Sequence, residues 1–258
     1  MKDFSLYPSP IHSDRDVLLF ELEKNEIMVI GCEAAGGIGP KKHDKVKVNG
    51  YILGRFSARV ALMEVLSVGA KPICLVDTLA VEMDPTGKEI IKGVMSSVEE
   101  SGLDPKFALT GGTENNFRTE QTGIGITAIG FVRKNRLRIG TSRLDDVIVT
   151  IGLPSVGMEV IKAEKERKIA DLNDLKMLLD FDFIHDIIPI GSEGIKYEID
   201  VLAKNANLHY NLYNESSLNL EKSAGPATVI LCSVLKNKII ELKKKIKKPI
   251  AILGQLVN

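Results

Sequence analysis

The segment LTGGTENNF, at residues 109–117, joins two glycines to an acidic residue directly after an apolar run. Gly111 and Gly112 permit a sharp turn and a close approach of the backbone to a ligand, because they carry no side chain. Glu114, which follows Thr113, is a carboxylate of the kind that binds Mg²⁺ together with phosphates. The segment therefore predicts a phosphate- and metal-binding loop, although a turn that only ends a strand has the same pattern.

Other acidic residues occur in similar strand or glycine surroundings. They are Glu33 before AAGGIGPK, Asp44 in KKHDKVKVN, Glu64 in ALMEVLSVGAKP and Asp77 in PICLVDTLAVE. Hard cations such as Mg²⁺ prefer carboxylate oxygens. Together with Glu114, these residues predict a site for a magnesium nucleotide.

Glu64 lies within GRFSARVALMEVLSVG, a segment whose spacing predicts a helix. Val60 and Met63 share an apolar face of this helix, and Glu64 lies beside that face. A carboxylate in such a place is costly unless it is paired or bound to metal. An ion pair with Arg59 or Lys71 explains Glu64 as well as a metal does, and the same choice remains open for Asp77 in its apolar strand.

The overall composition excludes several classes of partner. Of 258 residues, 34 are Lys or Arg and 34 are Asp or Glu, so the chain lacks the net basic field on which nonspecific nucleic-acid binding relies. No apolar run approaches the roughly 20 residues of a membrane span, and the first residues do not form a signal peptide. Cys32, Cys74 and Cys232 lie far apart in apolar runs and are expected to be reduced core residues. These features predict a cytoplasmic protein that binds neither membranes nor nucleic acid.

The pattern of the chain predicts an α+β protein with two α/β domains in series. In the first half, strands and helices alternate as ββαβαββ; the second strand is KVKVNGYI, and QTGIGITAIGFV suits a buried strand. The polar stretch RKNRLRIGTSRLDD interrupts this rhythm, which places the boundary between residues 1–135 and 136–258. The second half begins with a long helical segment, GMEVIKAEKERKIADLNDLKMLLDF, and continues as an α/β sandwich that includes a basic helix ending at Lys248.

The order of these motifs resembles the AIR synthase-related ATP-dependent enzymes. The resemblance rests on GGIGPK, HDKVKV, MEVLSVGAKP, LVDTLA and GGTE in the first half, and on GSEGIKYEIDVLA and SAGPATVILCSV in the second. It implies ATP and Mg²⁺ as cofactors. It also implies a homodimer, in which the N-terminal sheets of two subunits pair into a shared β-barrel.

The resemblance also implies roles for particular residues. Glu64 falls at the position of the family's helix Asp, and Asp77 at that of its strand Asp. The glycine loop has Gly36 in place of the usual Asp, so that metal role is assigned to Glu33. The nucleotide contacts that the resemblance implies are Gly36, Gly37, Gly39, Lys41, Gly111, Gly112, Thr113 and Glu193, and the metal ligands are Glu33, Asp44, Glu64, Asp77 and Glu114.

Within this group the chain is most similar to the α-ribazole kinases of cobalamin salvage, on the strength of GGIG, VALMEVLSVGAKP and GGTENNF. This similarity implies transfer of a phosphoryl group from ATP to a hydroxyl, a reaction that depends on charge neutralisation and positioning. Lys41 would contact phosphate, and Asn115 and Asn116 would orient the acceptor sugar. Two alternatives remain open: another ATP-dependent reaction of the group, such as thiamine-monophosphate kinase, amide or cyclisation chemistry, and a catalytically silent nucleotide-binding protein.

Overall fold

The computed structural model describes residues 10–213 and 218–258, which form two compact units divided between Leu137 and Arg138. The sequence placed the boundary after residue 135. Both units combine helices with a β-sheet. The predicted α+β class is therefore confirmed.

The first unit contains a mixed sheet with helices packed on it. Its strands, over the described residues, are β1 (Pro10–Asp14), β2 (Val17–Glu21), β3 (Glu26–Gly36), β4 (Ile38–Gly39), β5 (Val46–Lys47), β6 (Lys71–Leu79), β7 (Leu109–Thr113) and β8 (Gly123–Arg133). Its helices over the same residues are α1 (Gly50–Ser67), α2 (Lys88–Ser101) and α3 (Pro105–Ala108).

The main sheet of this unit has the order β1-β2-β3-β8-β6-β7, and a separate short ladder joins β4 to β5. Neighbouring strands of the main sheet are antiparallel except β6 and β7, which run parallel. Side chains alternate between a buried and a partly exposed face along β3 and β8, as half-buried strands do. Helix α1 packs on β3 and β8, and α2 packs on α1.

Helices α1 and α2 cross at backbone contact. A Cβ atom at Gly54 would lie 2.0 Å from the carbonyl oxygen of Ile90, and one at Gly93 would lie 2.0 Å from that of Tyr51. The crossing therefore requires glycine on both helices. The second half of α1, including Glu64, is buried almost throughout.

The second unit contains an antiparallel sheet in the order β10-β12-β9-β13-β11. Its strands, over the described residues, are β9 (Val147–Ile151), β10 (Ile184–Pro189), β11 (His209–Leu212), β12 (Ile230–Val234) and β13 (Ile250–Val257). Its helices there are α4 (Met158–Lys165), α5 (Leu172–Leu179), α6 (Gly194–Asn205) and α7 (Ile239–Lys245). The side chains of β9, β10 and β12 are buried throughout, and α6 contributes Ile195, Ile199 and Leu202 to the core.

The predicted strand KVKVNGYI is wrong. Only Val46–Lys47 is extended there, and the Asn49 side chain accepts a hydrogen bond from the Ile52 amide that starts α1 at Gly50. This N-cap ends the alternating pattern. Conversely, the strands β1 and β2 and the C-terminal strand β13 were not predicted.

The long helix predicted at the start of the second half is also interrupted. Helix α4 ends at Lys165, Arg167 has a positive φ of 55°, and α5 begins after Asp171 with a capping box formed with Asp174. The new cap satisfies the first amides of α5, so two helices replace one.

The prediction of three core cysteines holds only for Cys232, which is buried. Cys32 is exposed and Cys74 is partly exposed. Cys32 alternates with Gly31 and Glu33 on β3 and therefore lies on the face opposite the helices.

Within residues 10–213 and 218–258, the helices are all too short or too polar to cross a membrane.

We expect Gly54→Ala to lower the free energy of unfolding by more than about 1 kcal/mol, because the added methyl group would force α1 and α2 apart. The higher helix propensity of alanine, worth about 1 kcal/mol relative to glycine, would offset only part of this cost. Gly112→Ala is the control, since nothing lies within 4 Å of a Cβ atom there. Urea unfolding of both variants measures the difference, and equal midpoints would contradict the close crossing.

Candidate active site

Several loops of the first unit meet at one end of the strands of its main sheet. Gly36, the last residue of β3, pairs with Gly123, the first of β8. Leu79, the last residue of β6, pairs with Thr113, the last of β7. This end of the strands is here called the loop edge. Three segments begin there: the glycine loop after β3, the turn over Met83–Gly87 after β6 and the loop after β7.

The glycine loop needs two of its glycines for its backbone shape. Gly37 has φ of +69° and Gly39 has φ of +143°, values that favour glycine. A Cβ atom at Gly39 would also lie 2.6 Å from the Thr122 hydroxyl oxygen. Gly36, by contrast, is exposed and has no neighbour within 4 Å of a Cβ position, so its backbone is open to a ligand.

Asp44 closes the glycine loop. Its Oδ1 accepts a hydrogen bond from the Thr122 amide at 2.7 Å, and its Oδ2 accepts from the Lys41 amide and the Thr122 hydroxyl, each at 2.7 Å. The residue is only 5% exposed. Since both oxygens already accept hydrogen bonds from the protein, Asp44 serves in this structure as the anchor of the loop that carries Lys41.

The Lys41 ammonium lies at the loop edge and donates to Glu82 Oε2. Glu82 also accepts a hydrogen bond from the Thr86 hydroxyl at 2.6 Å. Burial opposes ionisation of Glu82, but the hydrogen bonds from Lys41 and Thr86 outweigh it and lower its pKa. The sequence analysis missed Glu82; its signal is an acid that closely follows a buried strand, in a turn rather than beside a glycine pair.

Glu33 and Asp77 lie in one row across the sheet. Glu33 on β3 and Asp77 on β6 both pair with Ile126 on β8, so the two acids share the face that packs on the helices. Two strand spacings separate them, which is about 10 Å. The structure thus places these predicted metal ligands on one face, a few residues from the loop edge.

Both acids of this row are harder to ionise than usual. Burial, with a further contribution from the Asp16 charge, raises the pKa of Glu33 to about 7. Burial alone raises the pKa of Asp77 to about 6. Among the described residues, no lysine or arginine forms an ion pair with either carboxylate. A bound cation would compensate this buried charge, so the donor set suits Mg²⁺.

Gly111 makes room for Asp77. The two residues pair across the parallel strands β6 and β7, and a Cβ atom at Gly111 would lie 1.7 Å from Asp77 Oδ1. The first glycine of GGTENNF is therefore required by the acid on the neighbouring strand. Gly112 has no neighbour within 4 Å of a Cβ position and stays open to a ligand.

The residues after Gly112 form a short hydrogen-bonded loop. The Glu114 amide donates to the Leu79 carbonyl at 2.9 Å, and its Oε1 accepts from the Asn116 amide at 2.7 Å. The Asn115 side chain accepts from the Met83 amide at 3.0 Å. Glu114 and Asn115 are thus tied to the turn after β6, while the side chain of Asn116 is exposed.

Glu64 lies deeper, where α1 crosses β3. A Cβ atom at Gly31 would be 3.1 Å from the Glu64 Cβ, and Glu64 is 5% exposed. Glu33 follows Gly31 by two residues on the same face, which is about 7 Å along the strand. Glu64 therefore lies beside Glu33 rather than among the loops that carry Lys41 and Glu114.

The five predicted metal ligands do not form one cluster. Within the part of the chain that the structure describes, no three His, Cys, Asp or Glu side chains are arranged to hold one metal ion. The reason is that Asp44 is engaged in the glycine loop, Glu64 lies under α1 and Glu114 caps its own loop. Mg²⁺ commonly binds through one or two carboxylates together with substrate phosphates, so the row of Glu33 and Asp77 remains chemically suitable.

The second unit holds the remaining predicted contact, Glu193, which is exposed and directly precedes α6. It also contains a buried pair, in which His185 Nδ1 lies 2.6 Å from Asp146 Oδ2.

Comparison with known proteins agrees with this architecture. Residues 16–132 match the family "AIR synthase related protein, N-terminal domain". The comparison with curated proteins finds no significant match. The family match covers the main sheet of the first unit except β1, from the start of β2 almost to the end of β8.

Solved structures resemble nearly the whole chain. AaThiL complexed with AMPPCP and TMP has a TM-score of 0.65 at 13% identity, covering 95% of this chain and 85% of that one. Thiamine-monophosphate kinase from Stenotrophomonas maltophilia has a TM-score of 0.62 at 14% identity, and the match covers 94% of this chain and 86% of that one. The hydrogenase maturation protein HypE in complex with ATP has a TM-score of 0.65 at 15% identity, and the match covers 92% of this chain and 78% of that one. At such identities the likeness shows the fold alone, and the family match concerns residues 16–132 of the first unit.

The raised pKa of Glu33 predicts a pH-dependent stability. Between pH 4.5 and about 7 the folded chain keeps a proton that the unfolded chain has released, so ionisation costs stability as the pH rises through this window. We expect Glu33→Gln to gain stability relative to the parent across this range, because glutamine does not ionise. Urea unfolding with EDTA at pH 4 to 8.5 measures the effect.

Asp16→Asn serves as the second variant, since removing this charge should lower the pKa of Glu33 and narrow the window. Identical pH profiles for the parent and Glu33→Gln would contradict the assignment.

Proposed function

We propose that this chain is an ATP- and Mg²⁺-dependent kinase that phosphorylates the 5′-hydroxyl of a nucleoside-like substrate, most specifically α-ribazole. The observation that carries the kinase proposal is the loop edge, where Lys41 and the open backbone at Gly36 and Gly112 meet, with the row of Glu33 and Asp77 a few residues away. Thiamine-monophosphate kinases and a HypE solved with ATP share the fold, which supports ATP as the nucleotide.

In the proposed reaction the chain positions charged groups rather than supplying a nucleophile. Lys41 contacts phosphate, and the exposed Asn116 orients the acceptor. Asp77 and Glu33 would hold Mg²⁺, with Glu64 and Glu114 as additional carboxylates nearby. When bound, the metal neutralises charge that develops on the phosphoryl oxygens. Asp44 keeps the glycine loop closed during this reaction. Glu193 remains a proposed nucleotide contact of the second unit.

The choice of α-ribazole rests on the sequence resemblance carried by GGIG, VALMEVLSVGAKP and GGTENNF. A neutral nucleoside requires one cationic contact fewer than a substrate that already carries a phosphate. The balanced charge and the widely spaced cysteines of the sequence support a cytoplasmic enzyme.

We expect the protein, with ATP and Mg²⁺, to convert α-ribazole into α-ribazole 5′-phosphate, detected as a mass increase of one phosphoryl group. Thiamine monophosphate is tested as the alternative acceptor in the same assay. Product from thiamine monophosphate alone would overturn the acceptor and keep the kinase class. ATP consumption without a phosphorylated acceptor would favour other chemistry of the superfamily, and Mg-ATP binding without turnover would favour a silent nucleotide-binding protein.

Asp77→Asn and Glu33→Gln should each lower turnover more than about 100-fold, a loss beyond the 10–100-fold typical of residues that only support a metal site. Glu99→Gln, on the exposed surface of α2, is the matched control and should keep parental turnover. Full activity in Asp77→Asn would remove it from the proposed metal set.

We also propose that the chain forms a homodimer through the main sheet of the first unit. The face of this sheet opposite the helices carries partly exposed apolar side chains, among them Met28 and Ile30 on β3 and Ile129 and Phe131 on β8. A contiguous apolar face of this kind marks an interaction surface, and a twofold contact would cover it with its own copy.

Sedimentation at micromolar concentration should therefore give twice the chain mass of 28.2 kDa. We expect Ile129→Lys to shift the protein to monomer, because a charge on this face is not tolerated in an apolar interface. Leu144→Lys is the control, since Leu144 is 47% exposed in the second unit. A monomeric parent would contradict the dimer.

A further inference from the structure

Lys41 is held at each of its polar groups. Its amide donates to Asp44 Oδ2 at 2.7 Å, its carbonyl accepts from the Lys47 ammonium, and its own ammonium donates to Glu82 Oε2. An exposed lysine usually samples many rotamers, and ordering it costs up to about 2 kcal/mol of entropy. Here the ammonium has a defined partner, the Glu82 carboxylate.

The contacts of Lys41 are in turn fixed by other groups. Asp44 is anchored by the amide and hydroxyl of Thr122, both at 2.7 Å. Because the Asp44 carboxylate is buried, moving the loop would break hydrogen bonds that water cannot readily replace. The backbone of Lys41 is therefore rigid, and only its side chain is free to change partner.

Glu82 is also held in place by hydrogen bonds of its own. Its Oε1 accepts from the Thr86 hydroxyl at 2.6 Å, and its carbonyl accepts from the Gly87 amide at 2.9 Å. The side chains of Lys41 and Glu82 are only 15% and 19% exposed, so their attraction is screened less than that of a surface pair. When Lys41 leaves, Glu82 keeps its bond to Thr86.

We propose that Glu82 is a positioning residue for Lys41: it holds the ammonium at the loop edge until a nucleotide arrives, and Lys41 then exchanges the carboxylate for a phosphate. This inference rests on the proposed function, because it takes the incoming anion to be a nucleotide phosphate. A lysine ammonium is a compact point charge that binds phosphate without a fixed angle, so it is able to change partner by a small rotation. Holding it in advance reduces the entropy lost when the phosphate binds.

The first experiment needs no nucleotide turnover. The rate at which acetic anhydride labels the Lys41 amine is measured by peptide mass spectrometry in the parent, Glu82→Gln and Asp84→Asn. Asp84 is the matched control, because it pairs with Lys88 on the same turn at 2.5 Å and is exposed. We expect Glu82→Gln to accelerate labelling of Lys41 about threefold or more, while Asp84→Asn accelerates only Lys88. An unchanged Lys41 rate in Glu82→Gln would overturn the proposal.

Mg-ATP should protect Lys41 from labelling in the parent. Absence of protection would overturn the exchange of partners even where the pairing of Lys41 with Glu82 is confirmed. A parent that is protected but phosphorylates no acceptor would refute the proposed kinase function and leave the role of Glu82 supported. The two proposals therefore fail in different ways.

Kinetics test whether Glu82 acts through Lys41. We expect Glu82→Gln to raise KM for ATP about tenfold with kcat changed less than about threefold, because Glu82 holds Lys41 in advance for phosphate binding and no longer contacts it once the nucleotide is bound. In a Lys41→Met background the same substitution should have no further effect. A purely structural role predicts an equal loss in both backgrounds, and that result would overturn the proposal.

Discussion

The hydrogen bonds between Asp44 and Thr122 are the interaction on which the candidate site depends. They join the loop after β3 to the start of β8 and hold the backbone of Lys41 through Asp44. Without them, the positive φ values at Gly37 and Gly39 would be only two of many conformations open to a glycine-rich segment. A buried carboxylate with its oxygens satisfied converts this flexible sequence into a defined loop.

The register of the sheet supplies the second constraint. Because β3, β8 and β6 pair in register through Ile126, Glu33 and Asp77 lie on the helix-facing side in one row. A slip of one residue would move either acid to the opposite face. The same register places Gly111 beneath Asp77, so a glycine that looks like a ligand contact in the sequence is a packing requirement of the neighbouring strand.

Helix α1 is covered both by α2 and by the sheet, and Glu64 lies in the core on the side that faces β3. Gly54 and Gly93 bring the helices to backbone contact, and the sheet covers the other side of α1. Residues of α1 that would face solvent in an ordinary amphipathic helix are buried as a result. The apolar stripe read from the sequence therefore underestimates how deeply this helix is embedded.

Local patterns in the sequence determined the α+β class, the strands β3, β6 and β8 and the helices α1 and α2, since periodicity and glycine boundaries are properties of neighbouring residues. They also pointed to Glu33 and Asp77 as acids in strand or glycine surroundings, whereas Lys41 was implied by the family resemblance. They misjudged KVKVNGYI, where the Asn49 cap overrides an alternating pattern, and the helix after Gly157, which ends where a positive φ and a new cap interrupt it.

Only the tertiary structure decided the partners. Glu82 is 41 residues from Lys41, and Thr122 is 78 residues from Asp44, so no local spacing relates them. The roles of the acids depend on such contacts: Asp44 anchors a loop, Glu82 holds an ammonium, and Asp77 is a buried carboxylate with no ion pair among the described residues. A sequence pattern lists residues able to do chemistry, whereas pairing across strands and loops determines which of them have charge left to offer a ligand.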